Sequence, residues 1–243
     1  MRRPILFLEI IMEYLPNGLT LEIPEGVFPL GTDSMALADF VRLPGSPRIL
    51  DLGSGAGTLG LLLCAASEKC SVTGLESDPR AHAAALENIQ RNALESRLQS
   101  ICADIRQIPQ LFAPGSFSIA VSNPPYFSGG PKSAAYPQAR REELCPLEDW
   151  IVGAARALKY GGDFYMVYRP EGLARAICLA SQAGLEAKRL RLLRHREGME
   201  VTLILLQFRK GGKPGLKWEE YALFHPDGTP TPYYRQIYHL EEA

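Results

Sequence analysis

The chain lacks paired cysteines. Cys64, Cys70, Cys102, Cys145 and Cys178 are scattered through 243 residues with no CxxC spacing. That argues against a zinc site and against a disulfide framework, and it fits a reducing, cytoplasmic setting. An excess of one charge is also missing. The formal net charge is -1, so the chain is no polycation and any contact with nucleic acid must come from a local patch. There is no internal repeat and no low-complexity tract. The apolar run in Met1-Arg-Arg-Pro-Ile-Leu-Phe-Leu-Glu-Ile-Ile-Met12 is broken by Glu9 and has no small-residue cleavage site. It is too short to span a bilayer, so neither a signal peptide nor a membrane anchor is expected. Met12 is the expected translation start, with the first eleven residues as an upstream extension.

What is present is an ordinary globular composition, 46% hydrophobic and 22% charged. The length suits one large domain with a small accessory region. Leu19 to Ile23 alternates and reads as a strand of a small hairpin. Gly31-Thr-Asp-Ser34 is a loop with a helix-start signal, and Met35 to Val41 continues as a helix. Strand and helix then alternate. Strands are expected at Arg48–Asp51, Ser71–Glu76, Leu98–Cys102, Phe117–Ser122 and Asp163–Tyr168. Helices are expected at Thr58–Ala66, after Asp78-Pro79 to about Asn92, at Leu147–Leu158 and at Gly172–Ala183. Gly161-Gly162 is read as the stop of the third of these helices. Leu190–Leu193 and Val201–Phe208 follow as an antiparallel pair at one edge. This is an α/β chain with a mostly parallel central sheet and helices on both faces. The expected division is an N-terminal extension and hairpin over 1–44 and a main domain over 45–243. Phe127 to Cys145 has no clear periodicity and is expected to be a mobile substrate loop.

Asp51-Leu-Gly-Ser-Gly-Ala-Gly57 lies between a strand and a helix. Gly53, Gly55 and Gly57 suit a backbone that approaches a ligand closely. Dinucleotide sites use GxGxxG, but here the sixth position is Thr58. The spacing, with Asp51 before it, favours S-adenosylmethionine, which has no pyrophosphate to seat on a helix N-terminus. Glu76 ends the second strand, where a carboxylate can accept from ribose hydroxyls. Asp104 ends the third, where it or its backbone can meet the adenine amino group, or where it caps a helix instead. No metal enters this reading.

Asn123-Pro124-Pro125-Tyr126 follows the fourth strand. An aromatic or amide NH2 is a poor nucleophile because its lone pair is delocalised. The Asn123 side-chain oxygen and the Pro124 carbonyl can accept its two hydrogens and turn the lone pair towards a methyl donor. Pro124 and Pro125 restrict the backbone that holds this geometry. Tyr126 can stack on a flat acceptor, with Phe127 beside it.

On these residues the chain resembles the class I, Rossmann-like S-adenosylmethionine methyltransferases of the amino-group branch. Within it the chain is similar to the bacterial tRNA1(Val) adenine-N6 methyltransferases. The carriers are Phe28-Pro-Leu-Gly-Thr-Asp-Ser34, the glycine turn, Asn123-Pro-Pro-Tyr-Phe127, Ala139-Arg140-Arg141-Glu142 and Leu147-Glu148-Asp149. The resemblance implies a tRNA partner, S-adenosylmethionine at Asp51 to Gly57, Glu76, Asp104 and Asn123, and Thr32 and Asp33 closing over its methionine end. It implies an acceptor adenosine just 3′ of the anticodon in a valine tRNA, with Arg140 and Arg141 near it. The position after Arg140 is often His in that family and is Arg141 here. Asp33 or Ser34 as a plain helix cap is the simpler reading of that segment.

Lys188, Arg189, Arg191, Arg194 and Arg196, followed by Arg209, Lys210, Lys213 and Lys217, form a basic cluster. It reads equally as a phosphate-binding face or as a solvated hairpin face. Tyr233 and Tyr234 read as packing residues. A protein glutamine N5-methyltransferase shares the Asn-Pro-Pro-Tyr chemistry, but its relatives usually carry a helical N-terminal domain and a Pro-Arg-Pro-Glu-like loop, where this sequence offers Pro29-Leu-Gly-Thr-Asp33. Methylation of an rRNA or DNA amino group would use the same two motifs. A non-catalytic RNA-binding assembly factor would share the fold, but the intact glycine turn and Asn123-Pro-Pro-Tyr126 argue against it. Nothing in the sequence sets an oligomeric state.

Overall fold

The computed structural model describes residues 11–15, 18–124 and 145–240. Strands β1 (Ile11–Tyr14) and β2 (Thr20–Ile23) pair antiparallel as the expected hairpin. Helix α1 (Thr32–Phe40) follows. It begins earlier than the loop reading expects, and Gly31 occupies the N-cap position without a side-chain cap.

The alternating units come next: β3 (Arg48–Leu52), α2 (Thr58–Ala66), β4 (Ser71–Glu76), α3 (Pro79–Arg91) and β5 (Leu98–Cys102). Asp78 caps α3 by accepting from Arg80 N–H, and Pro79 takes the first helical position, where a missing N–H costs nothing. A short helix α4 (Ile108–Leu111) leads to β6 (Phe117–Ser122). Then come α5 (Leu147–Ala157), β7 (Leu158–Tyr168), α6 (Leu173–Gln182), β8 (Leu185–Arg196) and β9 (Val201–Lys210). Two elements that the sequence does not announce end the chain, β10 (Lys217–Phe224) and α7 (Pro232–Ile237).

The main sheet has eight strands in the order β10-β8-β9-β7-β6-β3-β4-β5. All pairings are parallel except β7–β9 and β8–β9. The β8–β9 pair is antiparallel as expected. It is not at the rim, because β10 covers β8 on the outside in parallel register.

Side chains alternate across the sheet and build two cores. Tyr165, Val167 and Leu205 join the core beneath the hairpin, α1, α2 and α3. Phe164, Met166, Leu206 and Phe208 join the core beneath α5 and α6. The chain runs outward from β3 to β4 and β5, then returns to place β6 on the other side of β3. That reversal is the topological switch point, where ligands of open α/β sheets bind beyond the carboxyl ends of the strands. Among the described residues no helix is long and apolar enough to cross a membrane.

Candidate active site

A cavity of about 670 Å³ opens over the switch point. Asp51, Gly53, Gly55, Glu76, Asp104, Asn123 and Pro124 all line it, together with Thr32, Asp33 and Ser34 from the start of α1. The sequence spreads these residues from position 32 to 124. Parallel register brings them together: Asp51 lies opposite Gly74 on β4 and Val121 on β6, and Glu76 lies opposite Cys102 on β5.

Asp51 is 1% exposed. Neither of its carboxylate oxygens has a hydrogen-bond partner among the described residues. Burial raises its pKa to about 7, and the negative charge of Glu76 adds to the shift. The Gly60 backbone N–H opposes it but makes no full hydrogen bond. A buried carboxylate without a donor is costly to ionise, and a ligand that brings a cation or N–H groups removes that cost.

Glu76 has a different task. Oε2 accepts from Gly55 N–H at 2.9 Å and Oε1 accepts from Asp78 N–H at 2.7 Å. One carboxylate therefore holds the glycine turn and the start of α3 in register. Each oxygen keeps a lone pair for a hydroxyl donor in the cavity.

The three glycines serve three purposes. Gly53 has φ +69°, and a Cβ there would lie 2.5 Å from the Trp150 ring. Gly57 has φ +87° as the left-handed N-cap of α2 and packs on Ala85. Only at Gly55, with φ +57°, would a Cβ meet open space. Room for a close approach therefore exists at Gly55, whereas Gly53 is fixed by Trp150 and Gly57 by the helix start.

Asp104 takes the capping role. Its side chain accepts from Arg106 N–H and forms a capping box with Gln107 on the short turn Ile105–Gln107. The Arg106 guanidinium binds it at 2.6 Å and lowers its pKa. Residue 104 still lines the cavity, but its carboxylate has partners of its own.

On the acceptor side, Asn123 Nδ2 donates to Ser34 Oγ at 3.2 Å. Thr32 Oγ1 and Tyr238 OH are hydrogen-bonded at 2.8 Å. Asp33 Oδ1 accepts from Ser34 N–H at 2.8 Å, inside the first turn rather than from a cap position. Pro125, Tyr126, Phe127, Arg140 and Arg141 lie outside the described residues, as does the expected substrate loop up to residue 144.

The sequence reading missed Trp150 and Ser34 as site residues. Trp150 Nε1–H donates to Cys145 O at 3.2 Å and its ring backs the glycine turn. It directly follows the Leu147-Glu148-Asp149 segment that carries the resemblance, which was the available signal. Ser34 stands in the Gly-Thr-Asp-Ser segment, where a cap is the simpler role for a serine.

Four arginines of the basic cluster are ion-paired within the chain. Arg191 binds Asp39 and Glu219, Arg189 binds Glu219, Arg194 binds Glu220 and Arg209 binds Asp163. Carboxylates of the chain pair with these four arginines, and the buried Arg191 takes a structural role. Tyr233 is buried and stacks on Tyr221 at 4.4 Å, as a packing residue should. Among the described residues no group of three or more His, Cys, Asp or Glu could hold a metal ion.

Comparison with known proteins agrees with this geometry. A family model described as "Methyltransferase small domain" matches residues 25–182. A tRNA1(Val) (adenine(37)-N6)-methyltransferase of Bacteroides fragilis (strain YCH46) is 31% identical over 183 residues, covering 74% of this chain and 76% of its own. A protein of the same name from Actinobacillus pleuropneumoniae serotype 7 is 26% identical over 211 residues, covering 86% and 87%. Among solved structures, a predicted O-methyltransferase from Agrobacterium tumefaciens superposes with a TM-score of 0.72 at 23% identity, covering 86% of this chain and 96% of its own. The 16S rRNA N2 G1207 methyltransferase of T. thermophilus, in complex with AdoMet and guanosine, gives 0.62 at 23% identity, covering 86% and 52%. These two likenesses concern the fold. The family model spans well over half of the chain, and the chain belongs to the methyltransferase small domain family.

Proposed function

We propose that this protein methylates the N6 amino group of an adenine in tRNA, at the adenosine 3′ of the anticodon of a valine tRNA, with S-adenosylmethionine as donor. The observation that carries the reading is the placement of Asn123-Pro124 at the end of β6, in one cavity with Asp51, Gly55 and Glu76. The names of the Bacteroides and Actinobacillus relatives support the choice of acceptor.

The residues present fit the donor. The unpartnered Asp51 carboxylate is the complement of a cationic amino-acid end. Open space at Gly55 lets the ligand lie against backbone. Glu76 keeps lone pairs for ribose hydroxyls, and Ala103, Asp104 and Ile105 line the same cavity as candidates to meet the adenine. When bound, S-adenosylmethionine supplies an electrophilic methyl group.

The chain's own work is positional. Asn123 Oδ1 and the Pro124 carbonyl accept the two hydrogens of the target NH2. This favours a pyramidal nitrogen whose lone pair points into the donor pocket. No base is needed beforehand, because the nitrogen becomes acidic only after methylation. The buried walls exclude water and hold the reactants at attack distance. The target base must leave its stack to reach this pocket, which suits a single-stranded loop.

The test is incubation with labelled S-adenosylmethionine and total tRNA from cells lacking the gene, followed by digestion and mass spectrometry. N6-methyladenosine in valine tRNA is the expected product. Label in rRNA, DNA or a protein glutamine, with none in tRNA, would refute the acceptor assignment.

A further inference from the structure

Ser34 and Asn123 are 89 residues apart in sequence, yet their side chains meet at the cavity wall at 3.2 Å. An amide nitrogen has only hydrogens to offer, so Ser34 Oγ is the acceptor in this contact. The two ends of an asparagine amide point in opposite directions. Holding Nδ2 against Ser34 therefore turns Oδ1 away from α1. Oδ1 is the atom that the methylation chemistry needs. With the amide reversed, Nδ2 would present hydrogens to the hydrogens of the target amino group, and the interaction would be repulsive.

Ser34 is well placed to impose this choice. It is 4% exposed, so water competes little for its hydroxyl. Its helix is anchored from outside at two points. Thr32 is tied to Tyr238, and Asp39 binds the buried Arg191 at 2.6 Å. A catalytic group held by a rigid neighbour needs no reorganisation at the moment of reaction.

We propose that Ser34 is a positioning residue that sets the orientation of the Asn123 amide, so that its oxygen faces the acceptor amino group. The proposal rests on the role given to Asn123 above. It assigns to α1 a part in the transfer step beyond enclosing the donor.

The experiment compares Ser34→Thr with Ser34→Val, two side chains of the same shape that differ in the hydroxyl. Ser34→Thr keeps the hydroxyl and is expected to retain most of the turnover that Ser34→Val loses. Ser34→Val is expected to lower kcat roughly five- to tenfold, the worth of about one net hydrogen bond. Donor Kd and tRNA KM should stay within about twofold, because ground-state binding does not use this bond. In an Asn123→Ala background, Ser34→Val should cost nothing further. A second readout needs no acceptor. The chain has four asparagines, Asn17, Asn88, Asn92 and Asn123, so the Asn123 side-chain amide can be assigned by NMR as the signal lost in Asn123→Ala. It should move in Ser34→Val and stay in Ser34→Thr. Unmoved amide signals in Ser34→Val would overturn the proposal. So would a loss that persists undiminished in the Asn123→Ala background. If the wild-type protein labels no tRNA, the acceptor assignment fails, and the amide signals still decide the role of Ser34.

Discussion

Asn88 pairs with Glu22 as a neighbouring β-strand would. Its Oδ1 accepts from Glu22 N–H at 2.8 Å and its Nδ2 donates to Glu22 O at 2.9 Å. One helical turn on, Asn92 treats Thr20 the same way, at 2.8 and 2.7 Å. Helix α3 thus closes the free edge of β2 with side chains, and Arg91 adds an ion pair to Glu22. Asn88 Nδ2 also donates to Ala56 O at 3.0 Å, which ties the glycine turn to the same side chain.

Asn88→Ala should therefore be costly at two sites. It leaves Glu22 and Ala56 backbone groups unsatisfied at a fully buried position. Four lost hydrogen bonds, the fourth donated by Arg91 Nη1 to Asn88 Oδ1, predict a destabilisation of about 2–4 kcal/mol. A weakened donor affinity should accompany it, because Ala56 belongs to the turn. Urea midpoints and calorimetry with S-adenosylmethionine measure the two effects. A midpoint shift below about 0.5 kcal/mol would contradict the strand-mimic role.

Asp51 makes the donor-free protein pH-sensitive. Its folded pKa, about 7, lies above the unfolded carboxylate value. The folded state therefore binds the proton more tightly. The stabilisation is fully present below about pH 4 and is lost as pH rises through 7, a term on the order of 4 kcal/mol. Asp51→Asn should flatten the decline in stability between pH 5 and 8. Donor affinity should follow the opposite trend and tighten as Asp51 ionises, with proton uptake by the buffer. Calorimetry in two buffers of different ionisation enthalpy detects that proton. An unchanged stability slope in Asp51→Asn would assign the pH dependence to another group.

The alternating units between residues 48 and 122 are legible in sequence because each is a short apolar run bounded by Gly, Pro or Asp. The strands Ser71–Glu76, Leu98–Cys102 and Phe117–Ser122 and the helix Thr58–Ala66 agree to the residue. Strand β10 escaped because half of Lys217–Phe224 is exposed and the adjacent Glu219 and Glu220 interrupt its alternation. Gly161-Gly162 misled in another way. It reads as a helix stop, yet β7 already runs through it from Leu158. A Cβ at Gly162 would lie 2.9 Å from Lys159 O and 3.0 Å from Ser118 O, so glycine serves close strand contact where the β6–β7 register shifts. The clustering of Asp51, Glu76 and Asp104 around one cavity was legible because strand ends are local. The Ser34–Asn123 contact was not, because only tertiary structure brings the two together.

Gly53 and Gly55 should respond differently to alanine. Gly53→Ala drives a methyl group into the Trp150 ring at a positive φ, so stability should fall by about 2–3 kcal/mol. Gly55→Ala meets no atom and carries only the backbone penalty of about 1 kcal/mol. Its methyl group projects into the cavity, so donor binding should weaken more than stability. Thermal melts set beside donor Kd values separate the two. Equal effects on both properties in both variants would remove the distinction between a packing glycine and a ligand-facing one.

Arg191 decides whether the basic cluster is structural. It is 6% exposed, and its guanidinium reaches Asp39 at 2.6 Å, Glu219 at 2.7 Å and Tyr233 OH at 3.0 Å. It also lies over the Phe40, Tyr221 and Tyr233 rings at about 5 Å. Removing it leaves Asp39 without its cation between α1 and the sheet. Arg191→Ala should cost about 3–5 kcal/mol, the range for breaking a buried pair from one side. Arg194 and Glu220 form a more exposed pair, and Arg194→Ala should cost less than about 1 kcal/mol. The charge of Arg191 is already neutralised inside the protein. The slope of log affinity for tRNA against log salt should therefore be the same in a neutral variant that stays folded, such as Arg191→Gln. A slope reduced by about 0.7–0.9, with stability intact, is what loss of one phosphate contact produces. That result would return Arg191 to the RNA-binding surface.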